Sequence, residues 1–267
     1  MINFPTCKIN LGLHILRKRP DGYHDVETAM LELSFNDILE FVESEESAFT
    51  TSGLEIPGAG NLVLEAEAEF RRFKRFPNLA FHLHKLIPMG GGLGGGSSDA
   101  AFALKLIRDK YVPGIPNEVL KVMAAKIGSD CAFFIDGGIQ FATGRGEILS
   151  PLTIDLKNKW VVLVNLGIHV STKEAYEGVV PNNERRSLRE ILEEPIESWK
   201  ENLVNDFEKS VFLKYPELAD VKEDLYEHGA VYAAMTGSGS TMFGIFESEV
   251  ESIDWSHEVS YETYLRI

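Results

Sequence analysis

Residues 88–101, PMGGGLGGGSSDAA, gather bare backbone and hydroxyls in a spacing suited to phosphate. Gly90, Gly91, Gly92, Gly94, Gly95 and Gly96 surround Leu93, and Ser97, Ser98 and Asp99 then open an alanine-rich run, AAFALKLI, with helical composition. Each ordered glycine costs about 0.5–1 kcal/mol relative to alanine, so so dense a cluster implies that something approaches the backbone closely. Free amides, access to positive φ and a helix N-terminus together make an anion site. Two commoner phosphate loops do not fit. A Walker A loop needs Gly-Lys-Ser/Thr, and the chain has no Gly-Lys pair. The GxGxxG spacing at Gly90, Gly92 and Gly95 should open a first βαβ unit, whereas the segments before it read mainly as strands.

Other residues could carry chemistry, each with a plainer alternative. Lys8 sits in an apolar, strand-like run, CKINLGLHILR, where a strand-end lysine can also lead its amine to solvent. Asn10, two residues on, shares its strand face. Asp130 follows Gly128-Ser129 and precedes CAFFI, a pattern that also fits the N-cap of a short helix. Tyr23 and His24 follow the turn glycine Gly22, and Asn61 stands where it could cap a helix. Gly237-Ser238-Gly239-Ser240 could be a simple hairpin turn. His82 and His84 alternate on one strand face without a third ligand and read as surface residues.

These residues need a scaffold, and the chain is long enough for one large or two modest domains, with 267 residues, 44% hydrophobic and 25% charged. The net charge of −15 argues against a nucleic-acid or anionic-membrane surface. An anionic ligand then needs a local positive island of amides and a few basic side chains. Cys7 and Cys131 make no disulfide framework, and no signal-like or membrane-length apolar run is present, which points to the cytoplasm. Strands are predicted near 7–17, 23–35, 37–44 and 78–88, with loop around 50–60 and helices at 61–73, 98–111 and 116–128. A hairpin turns at Gly144–Gly146, and a buried strand near 157–166 starts a second half. Helices follow near 171–179, 187–194 (Ser187 with Glu190 as a capping box) and 200–228, then a hairpin over 231–246 and a last strand. The boundary is placed near 150–157, giving domains 1–153 and 154–267.

Four segments, CKINLGLHIL, PMGGGLGGGSSDAA, GSDCAFFIDGG and AAMTGSGSTMFG, occur in the order seen in the GHMP small-molecule kinases, and the chain resembles that family over nearly its whole length. The resemblance implies an α+β, two-domain GHMP-kinase-like fold with the active site in the inter-domain cleft. It implies ATP as co-substrate, with Mg²⁺ held mainly by the nucleotide phosphates; relatives often add a helix acid as a metal ligand, and the sequence offers no clear candidate for it. Lys8 and Asp130 then become the catalytic pair, the lysine beside the hydroxyl to be phosphorylated and the aspartate accepting its proton. A carboxylate is a weak base toward an alcohol, so positioning carries most of the rate. The loop from Pro88 and Met89 through Leu93 to Ser97 and Ser98 would hold ATP, with Asn61 and Lys85 near the nucleotide. Gly237–Ser240 resembles the family's third motif.

RPDGYHDVET directly after KINLGLHIL resembles the family members whose substrate is a methylerythritol carrying a cytidine diphosphate, in the non-mevalonate isoprenoid route. Asn10 would then meet substrate oxygens, Tyr23 and His24 the cytosine, and Tyr176 would be a second aromatic. The partner is a small molecule, neither nucleic acid nor membrane. A kinase for another small alcohol, such as mevalonate or homoserine, or a non-catalytic nucleotide sensor on the same scaffold, are the alternatives. Retention of both Lys8 and Asp130 speaks against the sensor.

Overall fold

A computed structural model describes residues 1–58 and 60–267. The chain opens with β1 (Ile2–Asn3) and two long strands, β2 (Thr6–Lys18) and β3 (His24–Asn36), joined by a turn in which Gly22 donates to the Arg19 carbonyl. β4 (Ile38–Glu43), β5 (Ala48–Gly53), α1 (Leu62–Phe73) and β6 (Leu79–Lys85) lead to the glycine loop. Beyond it come α2 (Gly95–Tyr111), α3 (Asn117–Ile127), the short α4 (Phe133–Asp136) and the hairpin β7 (Ile139–Thr143), β8 (Ile148–Pro151). Next are β9 (Trp160–Asn165), α5 (Thr172–Glu177), α6 (Leu188–Leu192), α7 (Trp199–Asn202), α8 (Glu208–Lys214) and α9 (Glu217–Glu227). β10 (Tyr232–Met235), β11 (Met242–Phe246) and β12 (Tyr261–Arg266) close the chain.

Two compact units interleave along this order. The first holds residues Met1–Lys8, Ser34–Met89 and Gly94–Gly138, the second Ile9–Leu33, Gly90–Leu93 and Ile139–Ile267. In the first, strands run β1-β4-β6-β5, with β6 antiparallel to β4 and parallel to β5. Strict alternation buries Leu79, Phe81 and Leu83 of β6. Ala100, Ala101 and Ala103 of α2 are buried, small residues that let α1 and α3 pack closely on it. The other strands form one sheet ordered β2-β3-β7-β8 and another ordered β10-β11-β9-β12. β9 is central in the latter, and Val162 and Val164 share a core with Leu218, Val221 and Leu225 of α9. Among the described residues no helix is long and apolar enough to cross a membrane.

Four local expectations change. Residues 48–53, taken from Thr50 onward as loop, form the edge strand β5; their small polar side chains need little burial because only β6 pairs with them (Ala59, in the same predicted loop, lies outside the described residues). Helix α2 begins at Gly95 rather than 98, because Gly94 supplies its N-cap in the left-handed region, φ +72°. The helix predicted over 200–228 is three. Asn205 breaks it by bridging to Leu13 of β2 while its amide donates to the Met235 and Gly237 carbonyls, and Pro216 breaks it again. At α6, Ser187 does cap, accepting from the Arg189 amide, but Glu190 pairs with Arg186. The carboxylate that receives the Leu188 amide is Glu27, from β3.

His14 on β2 is 1% exposed, and neither ring nitrogen has a partner among the described residues. Burial, with a smaller push from Arg185, lowers its pKa to about 3. The folded protein therefore excludes a proton that the unfolded chain binds below about 6.5, so stability should fall with pH at up to about 1.4 kcal/mol per unit. His14→Leu is expected to flatten this slope. Thermal midpoints of the two proteins should separate progressively from pH 7 to pH 5; parallel curves would mean the ring finds a proton acceptor.

Candidate active site

Within the first unit, β2 carries Lys8 inward and the turn between α3 and α4 carries Asp130 outward. Lys8 Nζ lies 3.6 Å from Asp130 Oδ2, with the lysine side chain 4% and the aspartate 37% exposed. A dry ammonium thus sits beside a carboxylate that a ligand can reach. Asp130 is not an N-cap, since that position of α4 is Ala132. Gly94 completes the group. A Cβ there would lie 3.0 Å from the Phe134 ring and 3.2 Å from Lys8 Cε, so only a bare backbone fits over the lysine stem.

The amides that begin α2, at Gly95, Gly96 and Ser97, have no partner inside the helix. No acidic residue occupies its first turn, so the positive end of a 17-residue helix dipole is unmasked. The Ser98 hydroxyl is buried and has no partner among the described residues. Asn61 caps α1, accepting from the Val63 amide at 2.8 Å.

Lys85 behaves differently from the sequence pattern of a nucleotide contact. It is 1% exposed, and its ammonium donates to Asp37 and, at 2.7 Å, to Asp99. Burial, opposed by Lys85, pushes the Asp99 carboxyl up to about 7. The sequence analysis pairs neither aspartate with Lys85, although a signal exists. Alternation in β6 puts Lys85 on the same face as Leu79, Phe81 and Leu83, and a lysine on a buried face demands a carboxylate.

In the second unit, residues 90–93 are clamped by the turn at 236–241. Gly91 accepts from the Thr241 amide at 3.2 Å, and Gly92 from the Thr236 hydroxyl at 3.2 Å. A Cβ on Gly91 would stand 2.5 Å from Thr241 Oγ1, and one on Gly92 would overlap the Thr236 carbonyl oxygen. Asn165 donates to Ser240 and Thr241, and the Asn10 amide donates to the Thr236 hydroxyl at 3.0 Å. The Asn10 side chain reaches Thr28 at 3.0 Å. Leu93 is buried, whereas Met89, in the first unit, is exposed. Thr236, Thr241 and Asn165 escaped the sequence reading because their partners lie far away in the chain.

Among the predicted cytosine contacts, the structure joins two. His24 and Tyr176 stack with centroids 4.8 Å apart at 20°, and Tyr176 is braced edge-on by Phe207. Tyr23 is exposed, its ring under the Arg145 guanidinium at 4.7 Å. As for a metal, no group of three His, Cys, Asp or Glu side chains among the described residues could hold one. The carboxylates near the loop are committed to lysines.

The chain is similar to known proteins. Family models described as GHMP kinases N terminal domain and GHMP kinases C terminal match residues 61–138 and 186–259. A 4-diphosphocytidyl-2-C-methyl-D-erythritol kinase of Cytophaga hutchinsonii is 49% identical over 94% of each chain. The chain belongs to the 4-diphosphocytidyl-2-C-methyl-D-erythritol kinase family. A member from Parabacteroides distasonis is 47% identical over 92% of each chain. A crystal structure of a 4-(cytidine 5′-diphospho)-2C-methyl-D-erythritol kinase superposes with a TM-score of 0.80 at 31% identity, covering 93% of this chain and 91% of that one. The chain is therefore a small-molecule kinase of the α+β GHMP fold.

Proposed function

We propose that this chain transfers the terminal phosphoryl group of ATP to the 2-hydroxyl of 4-(cytidine 5′-diphospho)-2-C-methyl-D-erythritol, in the non-mevalonate route to isoprenoid precursors. The observation that carries the reading is the buried Lys8 ammonium 3.6 Å from the accessible Asp130 carboxylate, in a chain that matches kinases of that name almost end to end. Asp130 takes the hydroxyl proton as the new O–P bond forms and ADP leaves. The Lys8 ammonium favours the developing alkoxide. Amides of the glycine loop and the first turn of α2 hold the phosphates, and Mg²⁺ travels with the nucleotide, which supplies its ligands. Asn10 is assigned to substrate oxygens, and His24 and Tyr176, with Tyr23, to the cytosine.

An ATP-consumption assay with this substrate beside mevalonate and homoserine tests the assignment; faster turnover of either alternative overturns it. Base–aromatic stacking is worth about 1–3 kcal/mol per base. Tyr176→Ala, which also removes the support of the His24 ring, is therefore expected to raise the substrate KM by about 5- to 150-fold with the ATP KM unchanged. Failure of CMP to compete with the substrate would remove the cytosine site from the scheme.

A further inference from the structure

The buried cluster of Lys85, Asp37 and Asp99 touches both limbs of the glycine loop. On the approaching limb, Asp37 Oδ1 accepts the amides of Leu86 and Ile87, at 2.6 and 2.9 Å, immediately before Pro88. Its other oxygen accepts Lys85. On the departing limb, Lys85 donates to Asp99 in α2. The same ammonium lies against the loop backbone, since a Cβ on Gly95 would come within 2.9 Å of Lys85 Nζ. Cluster exposures of 0–3% leave no room for any of the three side chains to turn toward solvent. A surface phosphate contact has no need of two buried carboxylates, and a packing residue at the end of β6 would be cheaper as leucine.

We propose that Asp37, Lys85 and Asp99 form a positioning strut that holds the two limbs of the glycine loop at a fixed separation, and that Asp99 thereby sets the affinity for ATP without touching it. The strut acts through the backbone. Asp37 holds the approaching limb by two amides, Lys85 spans the base, and Asp99 fixes the first turns of α2, whose free amides must point together to hold a phosphate. Loss of one end lets those amides diverge before ATP arrives. The phosphoryl-transfer step, served by Lys8 and Asp130, is left alone. The inference rests on the kinase reading above.

Asp99→Ala tests it, because it cuts the strut on the α2 side, suits a helix and leaves a neutral Lys85–Asp37 pair. The expected result is an ATP KM raised about 10-fold, with kcat at saturating ATP and the KM for the cytidine-bearing substrate within twofold of the parent. Asp99→Asn, which keeps an oxygen for Lys85, should restore most of the ATP affinity. Calorimetric titration with a non-hydrolysable ATP analogue gives the same comparison without turnover. An unchanged ATP KM in folded Asp99→Ala overturns the strut, as does a parallel loss of kcat and both KM values, which marks a merely structural residue. Turnover by the parent enzyme is scored separately, so failure of the strut leaves the kinase assignment standing.

Discussion

Asp130→Asn is expected to lower kcat by about 10²- to 10⁴-fold, the usual worth of a positioned general base, while leaving the ATP KM within a few-fold. Asparagine keeps the shape and the exposed position but cannot accept the hydroxyl proton. Lys8→Met should fall in the same range. It keeps the apolar stem under Gly94 while removing the only charge that the structure places within 4 Å of the Asp130 carboxylate among the described ion pairs. Both effects belong to the transition state, so kcat and kcat/KM for the acceptor should drop together. Near-parental kcat in either variant, measured at saturating concentrations of both substrates, would return that residue to a structural role.

Gly92→Ala carries the second large effect. The residue adopts φ +81°, and its missing Cβ leaves the space that the Thr236 carbonyl oxygen occupies. Strain of this kind costs about 1–3 kcal/mol, and the loop can relieve it only by moving off the 236–241 turn. ATP binding by calorimetry should weaken by about 5- to 150-fold, with a lower thermal midpoint. Gly96→Ala makes the informative contrast. Its added methyl would meet only Leu62 Cδ1, at 3.7 Å, and alanine favours the helix. That variant should melt no lower than the parent, so any rise in its ATP KM reports the ligand and not the fold. Unweakened ATP binding by Gly92→Ala would detach residues 90–93 from nucleotide recognition.

What could be read from the chain alone follows from how local each cause is. Alternation in Leu79–Lys85 and the glycine loop before an alanine-rich helix are written in consecutive residues, and the strand and the helix both form, the helix starting three residues earlier than expected. The Ser187 cap was legible for the same reason, but its second partner, Glu27, is 160 residues away and leaves no local trace. Asn205 interrupts a helical stretch because the backbone carbonyls of Met235 and Gly237 need a donor. Nothing near Asn205 announces that need. Lys8 and Asp130 show the same limit, since neither the strand nor the turn alone distinguishes a catalytic pair from a strand-end lysine and a cap. Their proximity, and the carboxylates around Lys85, belong to the fold and not to any segment.

The two thiols have a practical side. Cys7 and Cys131 are fully buried, and burial pushes both up to about 12. At pH 8 the thiolate is then on the order of one part in ten thousand, and thiolate is the form that alkylating reagents attack. A cysteine introduced on an exposed helix would outpace both native thiols in reaction with a maleimide. Site-specific dyes for following substrate binding can therefore be attached without first removing a native residue.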